Sequence, residues 1–269
     1  MIDWSLLPVY IALGALVGFL AGLLGIGGGF TIVPVLTETF QHEGFAATHL
    51  LTLAIGTSSA TIIFTAFSSA RAHHRRGAVA WDIVWPMAPG LVIGSLIGPQ
   101  VASALPMRVM AAFVGSVTWF AGARMLINRP AQVMRPLPSR SVLFAFGTLI
   151  GFIAGMVGTA GAYLVVPFLV RSNVKVRTAV ATSAAIGWPV AVTATLAYIF
   201  AGLRNPELPP YAIGYVYLPA LVGIACASIL LAPLGARLAH AWPVPRLRRA
   251  FSLMLLLLGG FMWWKALGP

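Results

Sequence analysis

Two glycine-rich segments, Gly25-Ile26-Gly27-Gly28-Gly29-Phe30-Thr31 and Gly158-Thr159-Ala160-Gly161-Ala162-Tyr163, are where residue type and spacing point to chemistry. Such runs interrupt an apolar helix. A helix restarting beyond the interruption offers N–H groups without intrahelical acceptors, at the positive end of its dipole. The ligand this attracts is an anion. The candidate contacts are Gly25, Gly27, Gly28, Gly29 and Thr31 in the first segment and Gly158, Thr159, Ala160 and Gly161 in the second. Pro34 and Pro167, each six residues beyond a matched glycine, shape the restarted helices by removing a hydrogen bond. A dinucleotide-binding fingerprint is excluded, because no strand precedes the glycines and no βαβ unit follows.

Hydroxyls gather just downstream of each segment: Thr48, Thr52, Thr57, Ser58 and Ser59 in the first case, Thr182, Ser183 and Thr193 in the second. Most hydroxyls in membrane helices bond backbone. Thr52 and Ser183 correspond when Gly56 is aligned with Gly187, which makes them symmetric candidates for substrate contact. His49 stands about one turn into its span, where protonation could serve coupling or substrate contact, since a histidine titrates near neutrality. Asp3, Glu38, Glu43, Asp82 and Glu207 all fall at span ends or in loops, so none is a buried proton or sodium carrier. No metal-ligand cage, phosphate-binding loop or nucleophile with its base is recognisable, and neither an enzyme nor a cofactor is expected.

These residues must be positioned in a membrane. Apolar residues make up 59% of the chain and charged residues 8%, far below the roughly 25% charged content of a soluble domain. Apolar stretches run over 5–37, 45–70, 80–103, 107–128, 141–170, 176–202, 211–236 and 246–266, each long enough for roughly 30 Å of hydrocarbon. The first lacks a basic flank, opening Met1-Ile2-Asp3-Trp4, and is expected to stay in the mature protein. Trp4, Tyr10, Trp81, Trp85, Trp242, Trp263 and Trp264 read as an interfacial belt. The net charge of +12 comes from short clusters between spans, so nucleic acid is not an expected partner. Cys226 is the only cysteine and has no disulfide partner within the chain.

Residues 18–36 and 151–169 share nine identities over nineteen ungapped positions, which marks a duplication. Gly14, Gly18 and Gly22 match Gly147, Gly151 and Gly155 at the spacing of close helix packing. The domains expected are a first transmembrane repeat over 1–128, a cytoplasmic linker over 129–140 and a second repeat over 141–269. Eight simple crossings would leave nine basic residues on one side and eight on the other, with no positive-inside bias. If each glycine-rich stretch instead returns to the side it entered, only Arg108, Arg204 and Lys265 stand outside, and the other fourteen of the 17 face the cytoplasm. The fold class expected is therefore all-α integral membrane protein, made of two inverted repeats. Each is a broken, re-entrant glycine-rich helix, with arms of about 12 residues, followed by three transmembrane helices.

The paired GLLGIGGGF…VP and GMVGTAG…VP segments, the ATHLLT and AVATSA stretches and the LPMRVMAAF and PVPRLRRAF segments resemble the TauE/SafE permeases over essentially the whole chain. That resemblance implies outward movement of sulfite and small organosulfonates such as sulfoacetate across the bacterial inner membrane. Thr159, Ala160 and Ala162 depart from a full glycine run, so the half-sites need not contribute equally. The function expected is an anion exporter working by alternating access, multi-pass with both termini outside. Its expected partners are a small anionic solute and the bilayer, with homodimerisation an open expectation. The alternatives are a proton- or sodium-coupled importer of a sulfur compound and a membrane-embedded assembly or chaperone protein.

Overall fold

The computed structural model describes residues 6–24, 28–127, 136–238 and 244–268. Its helices are α1 (Leu7–Leu24), α2 (Gly29–His42), α3 (Leu50–Arg75), α4 (Trp81–Ala104), α5 (Met107–Ile127), α6 (Arg140–Val157), α7 (Ala162–Arg171), α8 (Val176–Gly202), α9 (Leu218–Leu238) and α10 (Val244–Leu267). Among the described residues, six helices are long and apolar enough to cross a membrane: α3, α4, α5, α6, α8 and the 249–267 part of α10. The protein is a multi-pass, all-α membrane protein.

Both glycine-rich stretches fold back on themselves. In the first, the Tyr10 hydroxyl donates to Glu43 while Val17 lies against Gly28, so α1 and α2 run antiparallel as a hairpin. In the second, Phe146 stacks on Phe168 with ring centroids 3.8 Å apart, and Ile150 and Ala154 lie against Gly161. The entering arms are longer than the sequence suggests. α1 and α6 have 18 residues each, about 27 Å at helical rise, whereas α2 has 14 and α7 has 10. Nothing interrupts the entering helices before Gly25 and Gly158, and the returning arms end in turns carrying Gly44 and Asn173 at positive φ.

The major packing pairs join one half of the chain to the other. Gly14 and Gly18 of α1 lie on Ile224 and Ser228 of α9, and Gly90 and Gly94 of α4 lie on Phe144 and Thr148 of α6; both pairs run parallel. The corresponding helices α5 and α10 run antiparallel, with Gly115 beside Gly259 and Gly122 beside Leu255. α3 and α8 also run antiparallel, since Gly56 meets Tyr198 while Phe67 meets Trp188. A core containing Phe30, Val33, Leu51, Ile55, Val157 and Tyr198 binds the hairpins to these long helices.

Two readings from sequence need correction. Residues 211–217 do not open a helix: β1 (Ala212–Ile213) and β2 (Val216–Tyr217) pair antiparallel around Gly214-Tyr215. Pro209-Pro210 lie in the irregular stretch between α8 and β1, and Gly214 at φ 54° supplies the turn conformation that a two-residue hairpin needs. Tyr10 does not join the interfacial belt, because its bond to Glu43 holds it inside the first hairpin, 3% exposed. Trp81, Trp85, Trp263 and Trp264 are exposed, while Trp4 and Trp242 lie outside the described residues.

Candidate functional site

The start of α2 meets the tip of the second hairpin. A Cβ placed on Gly29 would fall on the Gly158 carbonyl oxygen and come within 3.0 Å of Thr159 Cα, so only glycine admits this approach. Gly28 is the N-cap of α2 and Gly161 the N-cap of α7, and neither end receives a side-chain cap. Amides in the first turns, those of Gly29 and Phe30 on one side and Ala162 and Tyr163 on the other, have no intrahelical acceptor. Gly158 and Gly161 both adopt left-handed backbone, with φ 70° and 74°, which turns the chain from α6 into α7 within four residues. Gly25 and Gly27 lie outside the described residues.

Carbonyls at the same tip are covered. Ser58 Oγ of α3 donates to the Gly158 carbonyl at 2.9 Å, and Tyr198 Oη of α8 donates to the Gly155 carbonyl at 3.0 Å. Two backbone acceptors of the second tip, the Gly155 and Gly158 carbonyls, are thus satisfied by protein, as buried backbone at membrane depth needs. The donors of the two N-termini are left for something else.

The hydroxyls divide in the same way. Thr57, Ser59, Thr61 and Thr193 donate to carbonyls of their own helices, and Thr57 and Thr182 accept from the Tyr217 and Ala80 amides. By contrast, Thr31, Thr159 and Ser183 are 2%, 3% and 0% exposed, and their hydroxyls have no hydrogen-bond partner. Tyr163 is partly buried as a residue, and its hydroxyl oxygen is the fourth of this kind. Its hydroxyl interacts with that of Thr159, so it is this pair that lacks any further partner. Buried polar groups are nearly always paired, so these four hydroxyls from α2, the second tip, α7 and α8 are a departure that asks for a ligand.

The remaining sequence candidates are placed differently. Ala160 packs on Gly187 and in a small apolar cluster with Ile62, Ala66 and Ala191. Thr52 is buried on α3, six residues before Ser58, about 9 Å along the axis. His49 is the N-cap of α3 and belongs to a cluster at the helix end, with its Nε2 2.9 Å from Asn205 Nδ2 and 3.2 Å from Glu207 Oε2. Pro34 sits within α2 on the wall of an apolar cavity of about 450 Å³ that also touches Glu38, His42 and Phe261, away from the tips. Pro167 lies within α7. Sequence reasoning missed Ser58 and Tyr198 as tip supports and Tyr163 as a donor; for Tyr163 the available signal was a hydroxyl at the position where the other repeat has Phe30.

Residues 10–262 match the family described as Sulfite exporter TauE/SafE. A probable membrane transporter protein of Haemophilus influenzae is 33% identical over 254 residues, covering 94% of this chain and 96% of that one. Probable membrane transporter proteins of Methanocaldococcus jannaschii and Bacillus subtilis are each 26% identical, covering 96% and 88% of this chain and 95% and 92% of their own. No solved structure matches the chain.

Proposed function

Because the chain belongs to the sulfite exporter TauE/SafE family and is a membrane transporter, we propose that it moves small sulfur-containing anions, sulfite or organosulfonates such as sulfoacetate, outward across the inner membrane. Transport proceeds by alternating access around the meeting point of α2 and the second hairpin tip. One observation carries the choice of an anion: at the second tip the Gly158 and Gly155 carbonyls are covered by Ser58 and Tyr198, while two uncapped helix N-termini and four buried hydroxyls are left as donors. A cation site has the opposite inventory, with open carbonyls and a carboxylate.

The repeats 1–128 and 141–269, joined by the linker 129–140, are inverted in this reading. Antiparallel packing of the equivalent pairs α3/α8 and α5/α10 supports inversion, since an axis along the membrane normal would leave equivalent helices parallel. Orientation follows from charge. Glu38, Glu207, His49 and Lys265 lie at or beyond the ends of α2, α3, α8 and α10 that we place outside, where Lys265 Nζ is 2.7 Å from Glu38. The basic residues of Arg71–Arg76, with Arg171, Lys175 and Arg177, stand at the opposite end.

Purified protein in proteoliposomes is expected to exchange labelled sulfite across the membrane. Absence of sulfite or sulfoacetate flux at every imposed voltage would refute the anion reading. The His49, Asn205 and Glu207 cluster favours a second reading, proton-coupled import. That reading requires His49→Ala to abolish proton dependence while sulfite binding survives.

A further inference from the structure

The first turns of α2 and α7 meet through an aromatic pair. Phe30 and Tyr163 pack edge to face, with ring centroids 4.8 Å apart and planes at 67°. They are equivalent residues, each two positions beyond its N-cap glycine, Gly28 or Gly161. The pair therefore lies where the two repeats exchange places. Phe30 is buried, and a phenyl ring fills its position fully. Packing at this place does not call for a hydroxyl, yet Tyr163 brings one, buried and with only the Thr159 hydroxyl beside it. A buried phenol hydroxyl without a further partner costs stability relative to phenylalanine, so the group is retained at the fold's expense. Its surroundings identify the use: the Thr159 hydroxyl is its neighbour, and the uncapped first-turn amides of α7 include that of Tyr163 itself.

We propose that Tyr163 is a specificity-determining residue whose hydroxyl donates to an oxygen of the bound anion, making the second hairpin the half-site that selects oxyanions over halides. This rests on the transport reading given above. The Phe30 half offers only the positive edge of a ring at the equivalent place, which attracts an anion without reading its oxygens. A hydroxyl hydrogen-bonding a charged ligand contributes more than one between neutral groups, and its loss corresponds to about a ten- to hundredfold weaker affinity.

The test compares wild-type protein, Tyr163→Phe and Phe30→Tyr, purified in detergent, by thermal unfolding in increasing sulfite or chloride, and by sulfite-to-chloride selectivity in proteoliposomes. For Tyr163→Phe the expected result is an unfolding midpoint without sulfite at or above that of wild type. Its half-saturating sulfite concentration rises about tenfold or more, and the chloride response is unchanged. A merely structural tyrosine gives the reverse, a lower midpoint with unchanged half-saturation, and that result overturns the proposal. Phe30→Tyr places a second hydroxyl at the equivalent position and is expected to lower half-saturating sulfite severalfold. If Tyr163→Phe does not accumulate, an unchanged sulfite response in Phe30→Tyr overturns the proposal instead. A wild-type response to sulfite that persists in Tyr163→Phe removes this inference alone. No response to sulfite or any organosulfonate in wild type removes the transport reading with it.

Discussion

Two hydroxyl residues near the tips are close in chemistry and opposite in expected effect. Ser58 donates to the buried Gly158 carbonyl, so Ser58→Ala leaves a carbonyl without a donor inside the protein. We expect a loss of about 1–3 kcal/mol, read as a lower thermal unfolding midpoint. Thr31 is equally buried but bonds to nothing. Thr31→Val keeps the volume and removes only the hydroxyl, so unfolding should occur at the same temperature or higher while sulfite flux falls about tenfold or more. Equal destabilisation by the two substitutions would show that Thr31 is structural. Glycine runs and nearby hydroxyls were visible in the sequence as groups, but this division was not. Which hydroxyl bonds its own helix depends on rotamers and on the neighbour across the interface, and Ser58 finds its partner a hundred residues away.

At the scale of elements, the β1–β2 hairpin is the one strand pair of the described fold. It joins α8 to α9 through an extended loop, whereas the equivalent connection between α3 and α4 spans only residues 76–80. Its backbone is satisfied by the long helices: the Tyr215 amide donates to the Tyr198 carbonyl at 3.2 Å, and the Tyr217 amide to Thr57 Oγ1 at 3.0 Å. Thr57 adjoins Ser58, so the hairpin and the second tip share one turn of α3. Gly214 holds φ 54°, and a Cβ there would fall on the Ile199 carbonyl. Gly214→Ala should cost about 1–3 kcal/mol and speed hydrogen exchange at the Tyr215 and Tyr217 amides. Unchanged exchange would mean that the hairpin is not held by this turn. Sequence pattern alone could not separate this strand pair from the start of a span, because Tyr215-Val216-Tyr217 runs directly into the apolar α9. The interruptions between α1 and α2 and between α6 and α7 were legible because two copies agree. The 18-residue length of the entering arms was not, since an apolar run does not record where it turns back.

For the molecule as a whole, inversion and charge make a joint prediction. With Cys226 replaced by alanine, Arg204→Cys should react with an impermeant thiol reagent added outside intact cells, and Arg76→Cys only when the cytoplasmic face is opened. Both parent side chains are exposed, so reactivity would report orientation. Labelling of both from outside would sink the orientation drawn from the positive-inside rule. Energetics then follow. Moving one negative charge outward from a negative interior gains about 2.3 kcal/mol per 100 mV, close to a fiftyfold bias in the distribution of a monovalent anion. Nothing more is needed to drive export of a monovalent substrate. A divalent anion would gain twice as much and show a steeper voltage dependence. In proteoliposomes with the potential set by potassium and valinomycin, the steady-state sulfoacetate ratio should therefore change with voltage at the slope set by the charge carried. A ratio that ignores voltage but follows an imposed pH gradient would show that a proton accompanies the anion, and would move attention from the hairpin tips to His49 and Glu207.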